Sequence, residues 1–103
     1  MPRATIVSVD PGKDGGIAVF HKLTDVVAYQ RSTAFDTALT HIRSLSNDNL
    51  YVGIEDVKTF GPGYDIRSQW ALAEDVGMWL GIFLAIGVPK ERIYRVNIHA
   101  WKR

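Results

Sequence analysis

The sequence predicts an α/β domain with a mixed five-stranded sheet, its elements in the order β-β-β-α-β-α-β. Three observations lead there. Three β-branched, apolar stretches near the N-terminus are joined by short turns, the pattern of an antiparallel meander. The apolar period then switches to helical spacing twice, from Phe35 and again after Ile66. A short strand-like run follows each helical stretch, and a helical crossover returns the chain parallel to an earlier strand, so the sheet must be mixed. At 103 residues the chain is a single domain, 1–103, with room for one core. Its 47% apolar and 22% charged residues exclude a disordered tail.

Taken in order, Ala4 to Asp10 reads as a strand buried on both faces. A turn over Pro11-Gly12-Lys13-Asp14-Gly15-Gly16 leads into strands from Gly16 to His21 and from Val26 to Arg31. Phe35, Ala38, Leu39, Ile42 and Leu45 mark the first helix, with Ser32 or Thr33 as N-cap, and Asn47-Asp48-Asn49 ends it. Leu50 to Glu55 is a fourth strand, Leu50, Val52 and Ile54 on one face and Tyr51, Gly53 and Glu55 on the other. A loop from Val57 to Ile66 precedes a long helix from about Arg67 to Ile86, whose expected apolar stripe is Trp70, Ala73, Val76-Gly77, Leu80, Phe83 and Leu84. Gly87 suits its C′ position, with Pro89 just beyond. Gly77, Gly81 and Ala85 recur every four residues and are expected to let this helix approach the sheet closely, a dimer contact through Met78, Trp79, Ile82 or Phe83 being the second option. Arg92 to Val96 is the fifth strand. The chain then stops at Arg103, where one more helix is expected to cover the sheet, so an apolar sheet face is expected to lie open and to favour oligomerisation.

Composition narrows the chemistry. The absence of cysteine excludes a disulfide scaffold, a thiolate zinc site and a cysteine nucleophile, and fits a cytoplasmic setting. The uncharged run from Val76 to Pro89 is interrupted by glycine and falls short of the ~20 apolar residues of a membrane span. No signal peptide pattern opens the chain. Net charge is only +1, but from Pro89 onward Lys90, Arg92, Arg95, Lys102 and Arg103 face a single acid, Glu91.

Asp10 and Glu55 each end a strand, and the neighbour two residues back on the same face is small, Ser8 and Gly53 respectively. A carboxylate at the edge of a core is costly unless paired or bound to a cation, and no basic residue lies within two positions of either. Asp10 alone reads equally well as an Asx cap of its turn, and Glu55 as a solvated strand end. Together, at equivalent strand ends, they point to a hard divalent ion, Mg²⁺ or Mn²⁺. The glycines of the first turn suit close approach to a phosphate or simply a tight hairpin; the pattern is neither a Walker A loop nor a dinucleotide fingerprint. His21, His41 and His99 show no metal-ligand spacing and read as surface residues. Phe60 and Tyr64, set among Lys58 and Arg67, are candidates for stacking on unpaired bases, whereas Trp70 reads as the first core residue of its helix.

Four segments in order, I-V-S-V-D-P-G-K-D-G-G-I-A-V-F (6–20), Y-V-G-I-E-D-V (51–57), G-M-W-L-G-I-F-L-A-I-G-V-P (77–89) and Y-R-V-N-I-H-A-W-K-R (94–103), resemble the RuvC-like Holliday-junction resolvases of the phage and prophage branch. These belong to the ribonuclease H-like superfamily, and the likeness spans nearly the whole chain. It implies a ribonuclease H-like fold whose final helix is missing, with Asp10 and Glu55 as catalytic metal ligands brought together by parallel pairing of strands one and four. It implies two Mg²⁺ (or Mn²⁺) ions serving in-line hydrolysis of a phosphodiester, and a two-fold homodimer acting on branched DNA in a bacterial or phage-infected cell. Lys13, Lys58, Phe60, Tyr64, Arg67, Lys102 and Arg103 are the expected nucleic-acid contacts. The further acidic ligands that relatives carry on a last helix have no counterpart after Glu91, so weak or absent cleavage by residues 1–103 is expected. Val96-Asn97-Ile98-His99-Ala100 also departs from the relatives, which often have proline after the valine. Two other functions compete. A non-catalytic DNA-binding or dimerisation module predicts junction binding indifferent to Glu55→Gln. An actin- or sugar-kinase-type ATPase lobe, which shares the Asp-then-glycine turn, predicts nucleotide binding.

Overall fold

A computed structural model describes residues 4–12, 14–22, 24–45, 47–55 and 66–96. Among these residues it is an α/β structure with one five-stranded mixed sheet and two α-helices. The strands are β1 (Thr5–Asp10), β2 (Gly16–Lys22), β3 (Asp25–Gln30), β4 (Leu50–Glu55) and β5 (Ile93–Val96), and the helices are α1 (Arg31–Arg43) and α2 (Ile66–Ala85). Across the sheet the order is β3-β2-β1-β4-β5. The pairs β1–β2 and β2–β3 are antiparallel, and β1–β4 and β4–β5 are parallel. Short turns allow the first kind of pair and helical crossovers the second, as the connection lengths dictate.

The two crossovers step the same way across the sheet, so right-handed connections lay both helices on one face. The core forms there. Val7, Val9, Ile17, Val19, Leu50, Val52 and Ile54 of the sheet meet Ala38 and Ile42 of α1 and Val76, Trp79 and Phe83 of α2, all buried. Trp79 packs edge-on against Phe35 and stacks on Phe83, ring centroids 5.5 and 6.0 Å apart. α2 ends in a Schellman closure. The Val88 amide donates to the Phe83 carbonyl at 3.0 Å and the Gly87 amide to Leu84 at 3.1 Å, with Gly87 at φ 98°.

Four sequence expectations change. β1 is buried on one face only: Val7 and Val9 are covered, whereas Ile6 on the other face is 47% exposed. The first helix starts at Arg31, its N-cap is Gln30 with no side-chain capping bond, and its first turn is broken at Ala34, so Ser32 and Thr33 do not fill that position. Trp70 is not a core residue but 68% exposed, and Leu84 is also exposed. Both fall outside the buried stripe of α2: at ~3.6 residues per turn Trp70 sits about half a turn around the helix from Trp79, in line with Gly77, Gly81 and Leu84. Finally, Gly77, Gly81 and Ala85 face away from the sheet, and a Cβ on either glycine would meet nothing within 4 Å. Among the described residues no helix is long and apolar enough to cross a membrane.

Candidate metal centre

The face without helices is ordered in rows. At one end the register aligns Val26, Phe20, Ile6 and Tyr51; next come Ala28, Ala18, Ser8, Gly53 and Tyr94. The last row holds Gln30, Gly16, Asp10 and, paired with Val96, Glu55. β1 and β4 run parallel with Val9 opposite Ile54, so one further step sets Asp10 beside Glu55. The two residues thus end adjacent parallel strands one position past that last pair, and by alternation both side chains fall on the face opposite Val9 and Ile54.

Small neighbours keep that face shallow beside the carboxylates. A Cβ added to Gly53 would touch only Val96 Cγ2, at 4.0 Å, so the backbone does not demand glycine there; what glycine supplies is space above the sheet. Gly53→Ala is accordingly expected to change the melting temperature by less than about 4 °C, the shift of about 1 kcal/mol in a domain this size. The rest of the face is apolar, an open groove bounded among the described residues by Ala4, Ile6, Tyr51, Gly53, Tyr94 and Val96.

The turn that follows Asp10 is held from three sides. Gly12 has φ 110°, a left-handed backbone that glycine adopts at no steric cost, and its carbonyl accepts from the Gly15 amide at 3.1 Å. The Gly15 carbonyl accepts from the Arg31 amide, also at 3.1 Å, which ties the turn to the start of α1. Most constraining is Asp75 of α2, 9% exposed. Its Oδ2 accepts from the Gly12 amide at 2.8 Å and from Trp79 Nε1 at 3.2 Å. Its Oδ1 accepts from Arg31 Nε at 3.1 Å and Nη2 at 2.8 Å. The Arg31 guanidinium in turn lies 4.8 Å from the centre of the Phe35 ring. The helices thus reach around the end of β1 and fix the backbone that presents Asp10. A cleft of 640 Å³ beside this latch is bounded by Gly12, Arg31, Leu72, Asp75 and Met78.

Sequence inspection missed Asp75. The available signal was its place one turn before Trp79, an acid on the stripe that carries Val76, Trp79 and Phe83 into the core. Of the expected nucleic-acid contacts, Arg67 is exposed on the first turn of α2; Lys13, Lys58, Phe60, Tyr64, Lys102 and Arg103 lie outside the described residues. The histidines also differ from expectation: His21 and His41 are half-buried and adjacent.

The donor set at Asp10 and Glu55 fits a hard cation. Mg²⁺ is commonly bound by one or two carboxylates, with water and substrate phosphate completing its octahedron, and an open face leaves room for both. Among the described residues no group of three or more His, Cys, Asp or Glu side chains is placed to hold a metal. Compared with models of known protein families and with curated proteins, the chain matches none.

Proposed function

We propose that the chain is the core of a divalent-metal-dependent endonuclease that hydrolyses phosphodiester bonds in branched DNA, with the ribonuclease H-like fold and the activity of the RuvC-like resolvases it resembles. The observation that supports this most is the parallel, in-register pairing of β1 and β4, which aligns Asp10 and Glu55 at one end of an uncovered face. Asp10 and Glu55 hold Mg²⁺ or Mn²⁺ through their carboxylate oxygens. The ion, when bound, supplies Lewis-acid polarisation of a phosphate oxygen and activates a water nucleophile. Ser8 and Gly53 leave the space in which a phosphate approaches the carboxylates. The Asp75 latch restrains the Asp10 backbone, so ion binding costs little reordering. Arg67 contacts the DNA backbone, together with the basic residues already named, and two copies of the chain present two centres to a four-way junction.

The test is Mn²⁺ titration of the chain bound to a four-way junction, read by electron paramagnetic resonance. Asp10→Asn and Glu55→Gln are each expected to weaken Mn²⁺ binding at least tenfold, and Asp10→Asn to abolish any Mn²⁺-dependent cutting. Junction binding should weaken steeply with salt, as phosphate contacts require. Mn²⁺ binding unchanged by both substitutions, with junction binding retained, would identify a DNA-binding module instead.

A further inference from the structure

One cluster away from the carboxylate face has no part in the proposed hydrolysis. His21 lies near the end of β2 and His41 in the last turn of α1, their Nε2 atoms 3.3 Å apart and their rings tilted by 35°. Tyr29 Oη lies 2.8 Å from His41 Nδ1. On β2, His21 is five residues from Gly16, the partner of Asp10, and shares the helix-covered face with Ile17 and Val19. About 16 Å of strand, and the thickness of the sheet, separate it from the carboxylates.

We infer that His21 and His41 form a two-imidazole site for a borderline divalent transition-metal ion of the zinc or nickel class. Two Zn–N bonds of about 2.05 Å meeting at a tetrahedral angle set the ligand nitrogens about 3.3 Å apart, the separation these two hydrogen-bonded atoms already have, so the ion takes the place of the proton they share. The Tyr29 contact matches this chemistry. With the Nδ1–H of His41 donating to the phenol oxygen, Nε2 keeps its lone pair, and an outer hydrogen bond of this kind orients and sharpens an imidazole ligand. Strand and helix hold the two rings, so little ordering is needed on binding. A groove of 470 Å³ lined by Tyr29, Asp36, Thr37, Thr40, His41 and Ser44 opens the His41 side of the pair to solvent, from which water completes the coordination. Imidazoles favour zinc and nickel while the Asp10–Glu55 pair favours magnesium and manganese, so the two sites select different ions.

Calorimetric titration of the whole chain with zinc chloride tests this. One saturable Zn²⁺ per chain is expected, bound at least tenfold more weakly by His21→Gln and by His41→Gln and about tenfold more weakly by Tyr29→Phe. The Asp10→Asn, Glu55→Gln double variant should retain the zinc affinity, and magnesium chloride should not compete. Zinc binding that survives both histidine substitutions overturns the assignment, as does the absence of saturable binding. Proton NMR of the unsubstituted chain gives an answer that does not depend on how the variants fold. Zinc should shift the ring signals of His21 and His41 before those of His99, and equal shifts in all three would overturn the site.

Discussion

Asp75→Ala is expected to lower the unfolding free energy by about 3 kcal/mol, seen as a smaller urea midpoint at unchanged slope and a melting temperature reduced by about 12–24 °C. One carboxylate here satisfies three separate elements: the turn after β1 through Gly12, the start of α1 through Arg31, and its own helix through Trp79. Alanine removes the acceptor and leaves the Arg31 charge without its counter-ion and two N–H groups without partners at a nearly closed site. Each such orphan costs about 1–3 kcal/mol. Arg31 is 26% exposed, so water relieves part of its charge and the total stays near the lower end of the sum. Asp75→Asn separates charge from shape. The amide offers one acceptor oxygen where the carboxylate uses two, and its NH₂ must face donors, so a loss of about 2 kcal/mol is expected even though volume is conserved. Hydrogen exchange of the Gly12 amide should accelerate in both variants. A cost below about 1 kcal/mol for Asp75→Ala would mean that water replaces the carboxylate and that the latch does not hold the turn.

The contrast between Asp75 and Trp70 shows what periodicity can and cannot convey. Strand order in the chain, the change from period two to helical spacing, and the end of α2 at Gly87 follow from local rules, and they are legible because each is enforced within a few residues. Leu50, Val52 and Ile54 are buried as their alternation requires. Trp70 is exposed because it lies about half a turn around α2 from Trp79, on the stripe of Gly77, Gly81 and Leu84; apolar residues spread around most of this helix, so periodicity alone does not choose the face that meets the sheet. Ile6 is exposed for a related reason: whether a second face of β1 is covered depends on what lies over the sheet. At the candidate site, the matched strand ends of Asp10 and Glu55 were visible, since both follow a small residue two positions back. The partners of Asp75 were not, because Gly12 lies 63 residues away and Arg31 lies 44 away. The His21–His41 pair was hidden in the same way, by twenty residues of chain folded into a strand turn and a helix.

Gly15→Ala should be more damaging than any other glycine substitution around the carboxylates, and the reason is steric. A methyl group at residue 15 would sit 1.9 Å from the Asp10 carbonyl oxygen, 2.9 Å from the Asp10 carbonyl carbon and 3.0 Å from the Pro11 oxygen. All three are backbone atoms, so no side-chain rotation relieves the clash; the turn has to move. Moving it breaks the Gly15–Gly12 and Arg31–Gly15 hydrogen bonds and disturbs the Asp10–Gly16 pair at the end of β1. The expected cost is about 3 kcal/mol, with Mn²⁺ binding weakened at least tenfold because the displaced backbone carries Asp10. Gly16→Ala makes a graded comparison, its Cβ meeting the Tyr29 carbonyl oxygen at 3.2 Å, and Gly53→Ala makes the mild end at 4.0 Å. Stability should therefore fall in the order Gly53, Gly16, Gly15, as urea denaturation of the three variants would measure. If Gly15→Ala kept both its stability and its Mn²⁺ affinity, the tight return of the chain over Asp10 would not be what presents that carboxylate.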